Sequence, residues 1–149
     1  FYRQRRVGYG GAAFNVFKFR TMVTDAELDG AVLSVRRDVR VVPGLQWMRS
    51  TRFDELPQVL NIVRGQMSLV GPRPERPERV AEIADRVPGY VLRHEMPPGL
   101  TGLAQIYGRY STDPEYKLGY DLQYMVNWSP VLDLQIMLRT VWVVLTRRV

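Results

Sequence analysis

Phe53-Asp54-Glu55-Leu56-Pro57-Gln58-Val59-Leu60-Asn61-Ile62-Val63-Arg64-Gly65 has the clearest local grammar in this chain of 149 residues. Leu56, Val59, Leu60 and Val63 recur at i, i+3, i+4 and i+7, one apolar stripe of a helix. Asp54 stands where an N-cap belongs, Pro57 falls in the first turn, and Gly65 stands where a helix stops. A carboxylate so placed faces the helix's partial positive charge and unpaired N–H groups, which hold it ionised. Two adjacent acids there can divide labour, one attacking phosphorus and the other holding a divalent cation through oxygen. Taken alone, the pair reads first as ordinary helix-start chemistry.

The surroundings shift that reading. Arg49 and Arg52 lie just upstream on a short segment, Gly44 to Arg52, that reads as a helix carrying Leu45, Trp47 and Met48. Downstream, a short strand from Met67 to Val70 runs into Gly71-Pro72-Arg73-Pro74, a stiff turn that holds its arginine with little entropy left to lose. Phosphoryl transfer needs fixed cations about the transferred group more than it needs a proton shuttle. A solvated arginine in a rigid loop explains Arg73 equally well.

Further out, residues 1 to 22 read as a β-hairpin, with Gly8, Gly10 and Gly11 in the turn and Phe14 to Arg20 as the returning strand. Residues 23 to 43 are polar and charge-mixed, with a short helix expected near Asp25 to Leu28. Pro77 to Val87 reads as a helix with Val80, Ile83, Ala84 and Val87 on its core face. In the loop-rich Pro97 to Gly102, two glycines flanking Thr101 allow backbone to approach a ligand closely, and Gln105 can read a polar edge; a structural turn explains them as well. Asp113-Pro114 starts a helix through about Val126, and Ser129-Pro130 starts the last one, cap then proline each time. Tyr116, Tyr120 and Tyr124 read as a packed helix face more than as a sugar platform.

That last helix, Pro130 to Thr146, would be about 25 Å long, short of the hydrocarbon thickness of a bilayer. Its apolar residues cover more than a narrow stripe, and Arg147-Arg148 follow it. A helix half in protein and half in the lipid interface fits, and so does a wholly buried one. No run of 18 or more uncharged apolar residues exists to cross a bilayer. The elements sum to an α+β fold, one helix-rich domain over 1–149 with a small N-terminal β-hairpin and an interfacial C-terminal helix.

Composition narrows the chemistry. The chain has no cysteine, which excludes disulfides, thiolate metal sites and cysteine nucleophiles. One histidine, His94, leaves little room for a histidine metal cluster or a Ser-His-Asp triad. The net charge of +6 implies anionic partners: phosphates, nucleic acid or an acidic membrane surface. Lys18 and Lys117 are the only lysines, and a GC-rich genome accounts for the arginine bias as readily as phosphate binding does.

Four motifs in order are together far more specific than any one of them: Phe17-Lys18-Phe19-Arg20-Thr21-Met22, Phe53-Asp54-Glu55-Leu56-Pro57-Gln58, Met67-Ser68-Leu69-Val70-Gly71-Pro72-Arg73-Pro74 and Pro98-Gly99-Leu100-Thr101-Gly102-Leu103-Ala104-Gln105. They resemble the bacterial sugar transferase family, the monotopic polyprenyl-phosphate phosphoglycosyl transferases that start capsule, exopolysaccharide and O-antigen assembly. The resemblance extends from Phe1 to the C-terminus. It implies that Asp54 attacks the β-phosphorus of a UDP-sugar, releasing UMP and leaving a sugar-phosphoryl-aspartate that a polyprenyl phosphate, usually undecaprenyl phosphate, then resolves. It further implies Mg²⁺ on Glu55, and Lys18, Arg49, Arg73 and Arg93 near the phosphates; Arg20, Thr101 and Gln105 complete the expected substrate-binding set.

By the same resemblance the enzyme works at the cytoplasmic face of the bacterial cytoplasmic membrane, binds no nucleic acid and leaves a homodimer open. The family carries an N-terminal re-entrant membrane helix just before the point matching Phe1, so a trimmed sequence is expected. Two departures stand out: Gln66 where the family often has Asp, and Asp38-Val39-Arg40-Val41-Val42, which lacks the threonine of the Asp-x-Arg-x-Thr pattern. A non-catalytic scaffold of the same fold and a basic nucleic-acid-binding module are the competing readings. Nothing in the residues chooses the sugar; glucose and galactose are common in the family.

Overall fold

A computed structural model describes residues 1–24, 38–108 and 113–146. The short helix expected near Asp25 and the terminal Arg147-Arg148 lie outside the described residues. The N-terminal hairpin is present: β1 (Tyr2–Val7) pairs antiparallel with β2 (Ala13–Lys18), Tyr2 opposite Lys18 and Val7 opposite Ala13. A 3₁₀ turn at Tyr9–Gly11 joins them, with Gly10 and Gly11 at φ of 62° and 79°. Those left-handed values are open to glycine without a Cβ penalty.

Next come α1 (Gln46–Ser50), a 3₁₀ helix over Phe53–Gln58 and α2 (Val59–Val63), which ends at Gly65 with φ of 71°. β3 (Ser68–Val70) leads through the proline-rich turn to α3 (Pro77–Ala84) and a 3₁₀ helix over Tyr90–Glu95. β4 (Gly99–Thr101), α4 (Leu103–Tyr107), α5 (Pro114–Val126) and α6 (Pro130–Leu145) complete the α+β domain. Both expected caps are made: Asp113 accepts from the N–H of Glu115 at 2.9 Å and Ser129 from that of Leu132 at 3.2 Å.

The stretch read as loop around Pro97–Gly102 holds a strand, because β4 pairs in parallel with β3, Ser68 opposite Gly99 and Val70 opposite Thr101. The glycines there serve that pairing. A Cβ on Gly99 would lie 2.1 Å from the Gly71 nitrogen, and one on Gly102 would lie 2.2 Å from the Gly71 carbonyl oxygen. Backbone crosses backbone with no room for a side chain.

Two apolar clusters flank the strand pair. Val7, Val80, Ile83, Tyr90 and Leu118 join the hairpin to α3 and α5. Val70, Leu103, Tyr124 and Ile136 join β3 to α4, α5 and α6. Of the three tyrosines on α5, Tyr124 is buried, Tyr120 stacks on Tyr107 at 6.0 Å and Tyr116 is exposed. The face is packed only in part.

The helix that decides the reading is turned inside out. Its apolar stripe, Leu56, Val59, Leu60 and Val63, is 45 to 80% exposed, while Asp54, Glu55, Gln58 and Asn61 are buried. Asn61 is the anchor. Its side-chain oxygen accepts from the Phe17 N–H at 3.1 Å, and its amide donates to the Asn15 carbonyl at 2.7 Å and to Gln66 at 2.9 Å. A fully satisfied buried amide is strongly directional, and this one fixes β2 against the acid-bearing segment.

Candidate active site

The acid pair begins at a strained residue. Arg52 has φ of 59°, the only non-glycine residue with a positive φ among those described, at a cost of about 1–3 kcal/mol. Arg52 therefore occupies the cap position expected of Asp54. Asp54 and Glu55 lie inside the first turn, with no side-chain cap. The turn points both acids inward, where the hairpin and the Gly71–Pro74 turn meet them.

Glu55 receives three cations. Its Oε1 accepts from Lys18 Nζ at 2.8 Å and from Arg73 Nη2 at 2.6 Å, and Arg52 Nη1 lies 3.6 Å from Oε2. Burial alone would push this carboxyl up, but Arg73, Lys18 and Arg52 together hold it well below the ordinary carboxylate range. Glu55 in turn raises the Arg73 guanidinium above its ordinary value. Burial lowers Lys18, offset in part by Glu55.

Asp54 behaves oppositely. Among the described residues it enters no ion pair within 4.0 Å, and the residue is 8% exposed. Burial and the neighbouring Glu55 charge push its carboxyl up, against Lys18, Arg49 and Arg52. The helix end was expected to favour the ionised form of Asp54; burial and the Glu55 charge act in the opposite direction. Two adjacent acids thus have divergent proton affinities, a frequent signature of assigned roles.

In the Arg73 turn three consecutive carbonyls are held from three directions. Gly99 N–H donates to Pro72 O at 2.9 Å, Arg93 Nη2 to Arg73 O at 3.0 Å and Arg6 Nη1 to Pro74 O at 3.1 Å. Burial and the Arg73 charge pull Arg6 down to about 10. Arg93 is itself buried, with its Nε 2.9 Å from Asp121 Oδ2 and its Nη1 2.7 Å from the Tyr90 hydroxyl.

The structure therefore gathers Lys18, Arg73 and Glu55 of the expected set, with Arg49 in the field of Asp54 and 3.4 Å from the Thr21 hydroxyl. It places the others elsewhere. Arg93 faces Asp121 and the back of the turn. Arg20 lies over the Tyr2 ring at 5.5 Å. The Thr101 hydroxyl is 2.7 Å from that of Thr140 on α6, and Gln105 Nε2 is 3.4 Å from Leu100 O.

Arg6, Asn61 and Asp121 were not singled out from sequence as parts of the site. For Asn61 a signal was present: Asp54, Gln58 and Asn61 recur at i, i+4 and i+7, a polar stripe opposite the apolar one. The two departures have local uses. Gln66 accepts from Asn61, and Asp38 pairs with Arg40 at 2.6 Å in a turn tied to Thr21 through Val42.

Mg²⁺ does not fit Glu55 as it stands, since both carboxylate oxygens already face cations. Among the described residues no group of three or more His, Cys, Asp or Glu is placed to hold a metal.

The family model for bacterial sugar transferases matches residues 1–147. The chain belongs to the bacterial sugar transferase family. Over 146 residues it is 42% identical to a UDP-glucose:undecaprenyl-phosphate glucose-1-phosphate transferase of Klebsiella pneumoniae, covering 95% of this chain and 31% of that protein. A UDP-N-acetylgalactosamine-undecaprenyl-phosphate N-acetylgalactosaminephosphotransferase of Aeromonas hydrophila is 38% identical, with 96% and 34% covered. A UDP-glucose:undecaprenyl-phosphate glucose-1-phosphate transferase of Caulobacter vibrioides is 41% identical, with 97% and 56% covered. The chain of this sugar transferase thus spans about a third of the first two relatives and just over half of the third.

Proposed function

We propose that this sugar transferase moves a sugar-1-phosphate from a UDP-sugar to a polyprenyl phosphate through a covalent intermediate on Asp54. The observation that carries the assignment is the split between the two acids. Glu55 is committed to three cations and is a poor nucleophile; Asp54 is outside those pairs, and its raised proton affinity makes its carboxylate the more reactive of the two. The named relatives favour the substrate class, and their differing sugars leave the sugar itself unassigned.

In the first step an Asp54 carboxylate oxygen bonds to the β-phosphorus, the bond from that phosphorus to the oxygen bridging to UMP breaks, and UMP leaves with the electron pair. Lys18, Arg49 and Arg73 offset the charge that gathers on the phosphoryl oxygens. In the second step a phosphate oxygen of the polyprenyl phosphate bonds to the same phosphorus and the Asp54–O–P bond breaks, restoring the carboxylate. Glu55 holds the cations in register throughout. Mg²⁺ would arrive as a companion of the substrate's diphosphate, because magnesium is commonly held through substrate phosphates.

The lipid acceptor suits the outward apolar faces. Leu56, Val59, Leu60 and Val63 on one element, and Val131, Leu134, Leu138, Val141, Trp142 and Leu145 on α6, are all exposed. No helix of the described residues is long and apolar enough to cross a membrane. These exposed faces suit contact with the surface layer of a bilayer, at the cytoplasmic face where nucleotide sugars are available. The decisive test is UMP release from a panel of UDP-sugars by the full-length protein with undecaprenyl phosphate. A phosphosugar adduct on Asp54 in mass spectra and its loss in Asp54→Asn support the proposal; normal turnover by Asp54→Asn defeats it.

A further inference from the structure

We infer that Asp121, Tyr90 and Arg93 form a positioning strut that aims the Arg73 guanidinium at Glu55 from behind. The expectation for Arg93 was direct contact with substrate. Its surroundings give it a different task, because the guanidinium is 4% exposed and its donors are already engaged: Nε with Asp121, Nη1 with the Tyr90 hydroxyl, and Nη2 with both Asp121, at 2.7 Å, and the Arg73 carbonyl.

An ion pair so buried is a poor way to gain stability, since well-packed apolar residues of like volume often serve as well or better. What this pair supplies is direction. Pro72 and Pro74 flank Arg73, so neither neighbour has an N–H with which to order the turn. The Arg73 carbonyl is the central one of the three held from outside, and Arg93 is the group that holds it. Beyond that carbonyl the Arg73 side chain runs to Glu55 at 2.6 Å. Asp121 on α5 is therefore linked to the acid pair by an unbroken series of contacts: Asp121, Arg93, the Arg73 main chain, the Arg73 guanidinium, Glu55. Each joint is short and charge-assisted, and such bonds are the directional ones. Tyr90 adds a second fixed point on the guanidinium, and its ring is 3% exposed. Arg93 is thus a positioning residue that acts through Arg73.

The inference rests on the transferase reading for its kinetic arm alone. Arg93→Lys keeps the charge beside Asp121 but cannot serve Tyr90, Asp121 and the Arg73 carbonyl together. In the full-length protein it should slow UMP release on the order of tenfold, as loss of a hydrogen bond to a charged group does. In an Arg73→Ala background the same change should cost less than about twofold, because the residue it positions is gone. Equal losses in both backgrounds would mean that Arg93 acts on substrate or on folding directly, and would overturn the inference. Tyr90→Phe, which removes one hydroxyl, gives the same cycle in milder form should Arg93→Lys fail to fold. The second arm needs no turnover: hydrogen exchange of the Arg73 guanidinium, followed by nitrogen-15 NMR, should quicken in both variants. Unchanged exchange sinks the strut even where UMP release is normal, and absent UMP release in the wild type sinks the transferase reading while this arm still reports on Arg73.

Discussion

Arg73 Nη2 lies 2.6 Å from Glu55 Oε1, joining a proline-bound turn to a helix start eighteen residues earlier in the chain. That contact sets the charge of the whole site. It stabilises the ionised form of Glu55 and leaves Asp54 as the acid with an open assignment. Arg73→Ala should leave Glu55 with two cations only. The Arg73 side chain is a third exposed, so the loss should fall below that of a fully buried pair, at about 2 kcal/mol. UMP release should drop at least a hundredfold if this arginine offsets phosphoryl charge, on the scale of one lost transition-state donor. Urea unfolding and a UMP assay read the two effects separately.

Asp54→Asn should separate stability from activity. The folded protein raises this carboxyl above its unfolded value, so folding favours the protonated form, and a penalty grows as pH climbs from the ordinary value through the raised one and is complete above it. A neutral amide lifts that penalty. Melting at pH 7 should rise by about 2–4 °C for each ~1 kcal/mol recovered, and the gain should fade below the ordinary carboxylate range. UMP release should vanish at every pH. An unchanged or lower melting temperature at pH 7 would contradict the burial argument for Asp54.

Glu55 gives the reverse profile. Its folded value lies well below the unfolded one, so its contribution is complete above the unfolded carboxylate value and is lost as pH falls through the depressed one. Glu55→Gln should therefore destabilise strongly at pH 7 and progressively less in acid. Denaturant midpoints across that range test it; a difference independent of pH would rule out the ion cluster as the cause.

Gly99→Ala should damage the fold itself. Its new methyl would sit 2.1 Å from the Gly71 nitrogen and 2.4 Å from the Thr101 carbonyl oxygen, both main-chain atoms that cannot swing aside. A loss at or above the ~1–3 kcal/mol usual for overpacking is expected. Thermal melting of the variant is the measurement, and a wild-type melting point would show that β3 and β4 do not cross so closely.

Val63→Ser examines the outward stripe. Val63 is 80% exposed, so stability should change by less than about 0.5 kcal/mol. Flotation with vesicles of anionic lipid should weaken if the stripe meets a lipid surface. Equal flotation of both proteins would remove that stripe from the membrane proposal.

Legibility followed the range of the interactions involved. The hairpin, the caps at Asp113 and Ser129 and the helix stop at Gly65 were readable because neighbours within a few residues dictate them. The pairing of β3 with β4 was not, since two three-residue strands about thirty residues apart leave no periodic trace. The 3.6-residue rhythm of Leu56 to Val63 announced a two-faced helix correctly, but a rhythm does not say which face meets protein. For the site, motif order grouped Lys18, Glu55 and Arg73, which the fold brings into contact. The pairing of Arg93 with Asp121, across twenty-eight residues, was not legible, because in sequence a buried guanidinium looks like any other cation.

The three outside holds on Pro72, Arg73 and Pro74 also bear on how portable this motif is. Their donors come from residues 6, 93 and 99, and the middle one leans on residue 121. Transplanting the Gly-Pro-Arg-Pro tetrapeptide into a foreign scaffold would carry over its letters but not its aim, and no excised fragment shorter than residues 6 to 121 would keep the guanidinium at its address.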